Sequence, residues 1–414
     1  MKEEKKKKAN VPNLRFPKFE GEWEKYVISD ILEFFPTNSL SWEQLEYNTD
    51  NLHNLHYGLI HKGLSTHIEL KKCLLPNIKK EFLPNNYTVC NDGDIAFADT
   101  SEDTGDVAKV VEFLDCDGEK IVCGLHTIHG RDKLNLTVKG FKGYAFSSTI
   151  FRNQIRRLAQ GTKVYSVSPK NFNESYISIP PKEEQSKIAN LMLLIDQRIA
   201  TQIKIINNLE SLIKGLCQDF HNSVETTEHK IEDLGDSFNV MYLSKDELSA
   251  EGEKCILYGE LFTTYNCVIE EVVSFTENDS PQKSLSEDND LLFPASTTVD
   301  SQSLISPSAL SIKDVILGGD MFGIHLYKTF KNEYVSYVIN YVYNRNLAKY
   351  AQGSTIIHLH YNDIRNVKIM LPNLNAQIFF TDLMRLLRNK IKNENKMLDA
   401  FKEQKTYLLQ QIFI

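Results

Sequence analysis

Two long stretches of the chain repeat apolar residues at alternating spacings of three and four, which is the heptad pattern of a coiled-coil helix. Eight of nine seam positions are apolar in the first stretch, and seven of nine in the second. The seams comprise Met192, Ile195, Ile199, Gln202, Ile206, Leu209, Ile213, Leu216 and Phe220, and then Met384, Leu387, Ile391, Glu394, Leu398, Phe401, Lys405, Leu408 and Ile412. Each predicted helix covers about 36 to 40 residues, or roughly 55–60 Å at 1.5 Å per residue.

We expect the two helices to bury their apolar stripes against each other as an antiparallel coiled coil, although pairing with helices of other proteins would use the same seams. Proline begins each helix, at Pro180-Pro181 and at Pro372, which is a helix-start signal. Gln202 and Glu394 interrupt the seams at the same repeat position. A polar seam residue either fixes the register of the pair or marks a locally solvated layer, and the sequence leaves both readings open.

Short apolar runs separated by Gly, Asn, Asp and Ser precede each helix, and this pattern predicts strands. Each strand-rich region ends in a helix-like stretch, at 147–159 and at 333–351. The predicted fold class is therefore α+β, with two globular domains that alternate with two long helices. The predicted boundaries are a disordered basic tail (1–10), a first domain (11–180), a first helix (181–222), a second domain (223–372) and a second helix (373–414).

The chain also contains an internal repeat, because residues 160–220 align with 352–412 at a constant offset of 192 and without a gap. Gln160-Gly161-Thr162 matches Gln352-Gly353-Ser354, and the prolines and Gln185 match Pro372 and Gln377. Farther upstream, Asp94-Ile95-Ala96-Phe97 resembles Asp290-Leu291-Leu292-Phe293. A variable region followed by a repeat block thus occurs twice.

The 414 residues carry a net charge of −8, but the charge is unevenly distributed. Residues 120–170 hold ten Lys and Arg against one acid, whereas residues 223–300 hold four Lys against eighteen acids. A basic and an acidic segment suggest two partners, one of them polyanionic. Seven cysteines without a repeated spacing are typical of free thiols in a reducing cytoplasm, and no apolar run approaches the roughly 20 residues that cross a bilayer.

The sequence lacks the common catalytic signatures, including the phosphate-binding loop, GxGxxG, GxSxG and the Asn-Pro-Pro-aromatic tetrapeptide. Cys116, Cys123, His126 and His129 have short spacings that could bind zinc. However, residues 123–129 alternate like a strand, and the corresponding stretch of the second half, 318–322, has no such ligands. We therefore predict no catalytic residue, no metal site and no cofactor in this chain.

Two divergent domains, each followed by a near-copy of one proline-started helical block, resemble the specificity subunit of type I restriction-modification enzymes. The stretches that look like this family are 12–24, Gly93-Asp94-Ile95, Gln160-Gly161-Thr162, and 180–185 followed by Ile188-Ala189 and Ile195-Asp196. The second block departs from the pattern, because Ala376 precedes Gln377 and Arg388 stands where Asp196 stands. This departure bears on whether both blocks dock partners equally well.

The resemblance implies two target recognition domains, each of which reads one half of a bipartite double-stranded DNA site. It implies a coiled coil that sets the spacing and docks two modification subunits, which methylate adenine with S-adenosylmethionine. Restriction subunits would use ATP and Mg²⁺ to translocate and cleave DNA, while this chain itself would be non-catalytic and cytoplasmic, with no membrane partner. The alternatives are a coiled-coil scaffold without DNA reading, and a nuclease or methyltransferase with its own site in one variable region.

A reader of double-stranded DNA needs Lys and Arg for phosphates and other side chains for base edges. The candidate DNA-binding residues are Lys139, Lys142, Arg152, Arg156, Arg157, Thr162 and Lys163 in the first half, and Arg345, Lys349, Ser354 and Thr355 in the second. Each could instead be a solvated charge or a helix cap. Gly161 and Gly353 either let the backbone approach a phosphate or are plain turn glycines.

Overall fold

The computed structural model describes residues 10–240, 243–278 and 283–414, so almost all of the predicted basic tail (1–10) lies outside the described residues. The chain folds into two compact units. The first contains the described residues up to Ile203 together with Met397–Ile414, and the second contains Lys204–Lys396. Each long helix therefore contributes one part to each unit.

The first unit consists of short strands around a bent sheet, followed by helices. Its strands are β1 (Glu24–Val27), β2 (Leu32–Phe35), β3 (Leu45–Glu46), β4 (His53–Leu55), β5 (His67–Glu69), β6 (Asn77–Ile78), β7 (Ile95–Ala98), β8 (Thr100–Ser101), β9 (Val110–Asp115), β10 (Ile121–Cys123), β11 (Thr127–Asp132), β12 (Tyr165–Ser166) and β13 (Tyr176–Ile179). Its helices are α1 (Ile28–Ile31), α2 (Tyr57–His61), α3 (Phe141–Ser147), α4 (Thr149–Leu158) and the start of α5 (Lys182–Ser223).

The second unit has a similar order of elements, with one additional strand and additional short helices. Its strands are β14 (Thr227–Lys230), β15 (Gly235–Asn239), β16 (Leu248–Ser249), β17 (Glu253–Leu257), β18 (Val268–Ile269), β19 (Ser274–Thr276), β20 (Ser284–Leu285), β21 (Asp290–Pro294), β22 (Ser296–Thr297), β23 (Ser308–Leu310), β24 (Ile316–Gly318), β25 (Met321–Leu326), β26 (Ile357–His358) and β27 (Lys368–Leu371). Its helices are α6 (Glu260–Thr263), α7 (Ser301–Leu304), α8 (Asn332–Val338), α9 (Asn344–Leu347), α10 (Tyr361–Ile364) and most of α11 (Leu374–Gln411).

The two units share one topology despite their divergent sequences. The central sheet has the order β2-β11-β7-β9-β5 in the first unit and β15-β25-β21-β23-β18 in the second. A second sheet follows in each unit, with four strands in the first and five in the second. Both second sheets contain a parallel pair, β4 with β10 and β17 with β24. The mixed helix-and-sheet architecture confirms the predicted α+β class.

The long helices run antiparallel within the first unit. Asp196 of α5 pairs with Lys405 of α11 at 2.6 Å, and the Arg198 guanidinium lies 5.9 Å from the Phe401 ring centroid, so the partner number falls as the α5 number rises. In the second unit, the seam residue Ile213 and the neighbouring Cys217 of α5 share a core with Phe380 and the seam residue Met384 of α11. Every predicted seam position is buried or half-buried, including Gln202 and Glu394.

A buried glutamine holds the start of each long helix against its own domain. Gln185 donates to the Pro180 carbonyl at 2.8 Å and accepts from the Val138 amide at 2.8 Å. Gln377 makes the same two bonds, to the Pro372 carbonyl and from the Lys331 amide, both at 2.8 Å. The proline and the glutamine recur at the same spacing in both repeat blocks. Both long helices therefore begin with the same hydrogen bonds to their own domain. Among the described residues, no helix is long and apolar enough to cross a membrane.

Candidate nucleic-acid interface

A closed loop projects from the same place in both units. The Gln160 and Ser166 backbones exchange two hydrogen bonds of 2.8 and 3.0 Å, and those of Gln352 and His358 exchange two of 2.7 and 2.9 Å. The closing strands β12 and β26 pair with β8 and β22, which continue from the centre of each main sheet. The loop tips are therefore presented by the rigid part of each unit.

Gly161 and Gly353 are required by the loop itself. Their φ angles are 135° and 119°, in the region that favours glycine. A Cβ at these positions would lie 1.9 Å from the Val164 carbonyl oxygen and 2.0 Å from the Ile356 carbonyl oxygen. The turn therefore explains both glycines without any approach of a phosphate.

The loop tips expose hydroxyl and apolar side chains at matched positions. Thr162 and Lys163 are exposed in the first loop, and Ser354 and Thr355 in the second. Val164 and Ile356 also match, with 53% and 50% of their surfaces exposed. Both loops thus offer a hydroxyl and an apolar side chain to a ligand outside the fold, whereas only the first loop adds a cation, Lys163.

The helix before each loop adds the cations. In α4, Phe151 and Ile155 face the core, while Arg156 and Arg157 are exposed. In the second unit, α9 and the turn after it expose Arg345 and Lys349, which lie before the second loop as Arg156 and Arg157 lie before the first. Within the described ranges, Arg156, Arg157, Lys163, Arg345 and Lys349 are exposed and form no ion pair, although the Arg156 guanidinium and the Asp103 carboxylate both lie beside Gly105.

Arg152 differs from the exposed Arg345, because it is half-buried. Burial lowers the pKa of Arg152, while Asp106 opposes the shift and Arg156 adds to it. Its guanidinium therefore lies beneath the exposed cations and faces the loop that carries Asp103 and Asp106. The structure leaves Arg152 partly accessible, unlike Arg345.

The predicted pair Lys139 and Lys142 does not form an accessible cationic loop. Lys142 is only 3% exposed. Its ammonium donates to Thr137 Oγ1 at 2.9 Å and lies 3.6 Å from a Glu112 carboxylate oxygen. The prediction for Lys142 was wrong, because residues 141–147 form a buried helix in which the lysine neutralises an internal acid. Lys139 is exposed, but it pairs with Asp92 at 3.0 Å.

A surface of aromatic and imidazole rings lies beside the first loop, and no pattern in the sequence predicted it. Trp42 and His56 have ring centroids 4.4 Å apart, and Tyr57 contacts His126 at 5.1 Å. His61 joins this cluster to the β8 backbone through a 2.8 Å contact with the Thr100 carbonyl oxygen. Trp42 is 40% exposed, so the cluster presents rings and hydrogen-bonding edges to solvent.

An aspartate-histidine pair, buried in the first unit and part-buried in the second, occurs at the centre of both main sheets, and it too was missed. Asp94 contacts His129 at 2.8 Å, and Asp290 contacts His325 at 2.6 Å. The signal was present in the sequence, because both members recur at an offset of 196, four more than the repeat blocks. At the offset of 192 that relates the repeat blocks, His129 aligns with Met321 and the second pair is not seen.

The two aspartates differ in their proton affinity. Burial alone would raise the pKa of Asp94, but hydrogen bonds from His129, Arg131 and the Asn91 amide bring it below its usual value. Burial raises the pKa of Asp290 to about 6, although His325 and the Glu287 amide oppose the shift. The difference follows from Arg131, whose place in the second unit is taken by Tyr327.

Several acids of the 223–300 stretch have internal partners. Glu270 accepts from Arg388 at 2.8 Å, Glu260 accepts from the Leu257 amide at 2.7 Å, and Asp290 is fully buried. These contacts account for part of the acidic excess as structure within the second unit.

The four residues considered for zinc do not come together. His126 is exposed and lies 3.1 Å from Asp99, and Cys116 donates weakly to the Cys90 carbonyl oxygen. Cys123 and His129 instead lie close to Cys90, a residue that the sequence did not group with them.

Residues 224–402 match a family model described as "Type I restriction modification DNA specificity domain". No curated protein matches the chain. Among solved structures, the S subunit of the type I restriction-modification system from M. genitalium aligns with 98% of this chain and 99% of its own, at 14% identity and a TM-score of 0.55. A chain from a structure on complex assembly and conformational transition of the type I R-M system aligns over 94% and 96%, at 14% identity and a TM-score of 0.59.

These structural likenesses show the fold, and the family model adds the specificity domain in the second half of the chain. The matched loop, helix and aspartate-histidine pair show that the first half repeats the same domain. Residues 224–402 therefore resemble a type I restriction-modification DNA specificity domain, and the chain as a whole shares its fold with these two solved chains.

Proposed function

We propose that each unit binds one half of a bipartite double-stranded DNA site. The observation that carries this proposal is the repetition, in both units, of an exposed loop beside exposed cations. The two domains differ in sequence but place their loops and cations alike. This arrangement suits a protein whose two domains bind DNA in the same way and read different bases.

Phosphate contact and base reading would fall to different residues. Arg156, Arg157 and Lys163 in the first unit, and Arg345 and Lys349 in the second, would hold phosphates, with Thr162, Ser354 and Thr355 adding hydrogen bonds from the loops. Base edges would be read by side chains that the two units do not share. The ring cluster around Tyr57 and His126 is our candidate in the first unit, because it offers both stacking faces and ring nitrogens.

The long helices would set the unread spacing between the half-sites, since α5 contributes to both units and its 42 residues span about 63 Å at 1.5 Å per residue. We propose that the same helices dock two modification subunits, which bind S-adenosylmethionine and methylate adenine. The target adenine must leave the base stack to be methylated, so this chain would hold the flanking DNA while its partner accepts the base. Restriction subunits would bring ATP, Mg²⁺ and cleavage, and this cytoplasmic chain would bring no active site of its own.

A coiled-coil scaffold without DNA reading explains the helices, but it gives no reason for matched exposed cations in both units. An enzyme with its own catalytic site in one variable region would not require the shared frame of the two units. The specificity reading accounts for both features.

The experiment measures binding of the full chain to a random-sequence DNA duplex over a range of salt concentrations. One variant carries R156A, R157A and K163A, and a second carries R345A and K349A. The control, K71A with K72A, removes two exposed lysines that already pair with Asp117 and Glu69. We expect each unit's variant to weaken binding and to reduce the salt slope by nearly one per lost phosphate contact, with the control unchanged. Equal slopes for all four proteins would overturn the proposed interface.

A further inference from the structure

Three potential metal ligands meet in the interior of the first unit. The ligand atoms of Cys90, Cys123 and His129 all lie within 4.8 Å of one another, and the two sulfurs are 3.5 Å apart. Cys123 ends β10 and His129 lies in β11, while Cys90 is held against β10 by a 2.8 Å bond from its amide to the Ile121 carbonyl oxygen. The group therefore joins the four-stranded sheet to the central sheet.

The histidine ring is oriented as a metal ligand requires. Its Nε2 contacts the Asp94 carboxylate at 2.8 Å, and Arg131 holds that carboxylate with two bonds of 2.7 and 2.9 Å. Its Nδ1 is buried and has no hydrogen-bond partner within the described part of the chain. A ligating histidine commonly donates its other ring nitrogen to a carboxylate, which fixes the ring and frees the ligating nitrogen.

The second unit shows the same aspartate-histidine pair without the thiols. Ser286 occupies the place of Cys90, because the next amide in each case donates to the aspartate at 2.8 Å. There, His325 uses Nδ1 for the aspartate, the opposite of His129, and its ring stacks on Phe238 at 4.0 Å. The thiols and the free Nδ1 are therefore features of the first unit alone, and the shared fold does not demand them.

A cavity adjoins one member of the group. Cys123 lines a cavity of about 460 Å³ together with Asn38, Tyr87 and Thr88. A fourth ligand, such as water, could reach a metal from this side.

We propose that Cys90, Cys123 and His129 bind one Zn²⁺ ion, with the fourth position taken by a molecule from the adjoining cavity. Two thiolates and one imidazole are ligands that zinc prefers. Binding would release two thiol protons to solvent and form two zinc–sulfur bonds and one zinc–nitrogen bond, with no change of oxidation state. The ion would fix the turn at 124–126 between its ligands, and this turn carries His126 of the ring cluster.

The test uses the full chain, reduced and freed of metal with a chelator, and titrates it with Co²⁺ as a spectroscopic substitute for Zn²⁺. We expect one equivalent to bind with thiolate-to-cobalt charge-transfer absorption, and Zn²⁺ to remove that absorption. Cys90→Ser should abolish it, and the serine should be tolerated because Ser286 fills the corresponding place. Cys116→Ser, a buried thiol outside the group, should keep it.

Thermal unfolding gives a second readout that does not depend on colour. Zn²⁺ should raise the melting temperature of the parent chain and of Cys116→Ser, but not that of Cys90→Ser or Cys123→Ala, because a ligand stabilises only the state that binds it. No uptake of Co²⁺ by the fully reduced parent chain would overturn the proposal, and so would a Cys90→Ser variant that binds like the parent.

Discussion

The two units place opposite charges at one repeat position on the long helices. In the first unit, Tyr144 donates to Asp196 at 2.7 Å, and Lys405 neutralises the aspartate. In the second unit, Arg388 takes the place of Asp196 and donates to the hydroxyl of Tyr337 at 2.9 Å. A tyrosine therefore contacts this position in both units, but Tyr144 donates the hydrogen bond whereas Tyr337 accepts it.

The neighbours of this position reverse with it. Arg388 is neutralised by Glu333 at 2.9 Å and by Glu270 at 2.8 Å, both from the second unit. The departure from the family pattern is thus compensated locally. At this repeat position the packing of the helix and its hydrogen bond to a tyrosine are preserved. The charge of the helix residue changes together with the charges of its partners.

The largest expected effect comes from removing Arg388, which pairs with Glu333 and Glu270 in the second unit. Arg388→Met should leave Glu270 without its cation and Glu333 with only the longer 3.8 Å contact to Arg385, and it should destabilise the second unit by about 2–3 kcal/mol. Asp196→Asn should cost the first unit less, because the amide still accepts from Tyr144. Hydrogen exchange that resolves the two units would measure both losses, and equal losses would show that the two positions are energetically alike.

The aspartates at the sheet centres should differ in their response to pH. An Asp290 pKa of about 6 in the folded chain exceeds the usual 3.8, so ionisation works against folding as pH rises between those values. Asp290→Asn should therefore gain stability relative to the parent between pH 4 and pH 7, by about 2–3 kcal/mol. Denaturation of both proteins across this range gives the difference, and a difference that does not change with pH would contradict the prediction.

The loop glycines should behave alike in both units. Gly161→Ala and Gly353→Ala should each cost at least about 1–2 kcal/mol, because a Cβ at positive φ is strained and would overlap a backbone oxygen. Melting temperatures and DNA affinity should fall by similar amounts for the two variants. A neutral variant in only one unit would show that the two loops are not equivalent. Gly118→Ala, where a Cβ meets no neighbour, controls for positive φ without the overlap.

The smallest expected effects are at exposed lysine and arginine residues. Arg157→Ala should change stability by less than about 0.5 kcal/mol but lower the salt slope of DNA binding by about one. Lys139→Ala should change neither, because Lys139 already pairs with Asp92. A reduced slope for Lys139→Ala would extend the interface to that loop.

The repeat made much of the architecture predictable. The 192-residue offset identified the loops, the glutamines and both helices, with α5 and α11 beginning and ending within three residues of the predicted bounds. Contacts between distant segments were not predictable in this way. Cys90 and Cys123 are 33 residues apart and meet only through strand pairing. Lys142 is buried beside Glu112, an acid that lies 30 residues earlier in the chain.

The most direct test of the account is single-molecule sequencing of methylated bases in the source cell, with this gene intact, deleted, or carrying the R345A and K349A changes. We predict that deletion abolishes N6-methyladenine at one bipartite motif, and that the two changes lower its occupancy without creating a new motif. An unchanged methylome after deletion, with the modification subunit expressed, would contradict the role in DNA specificity.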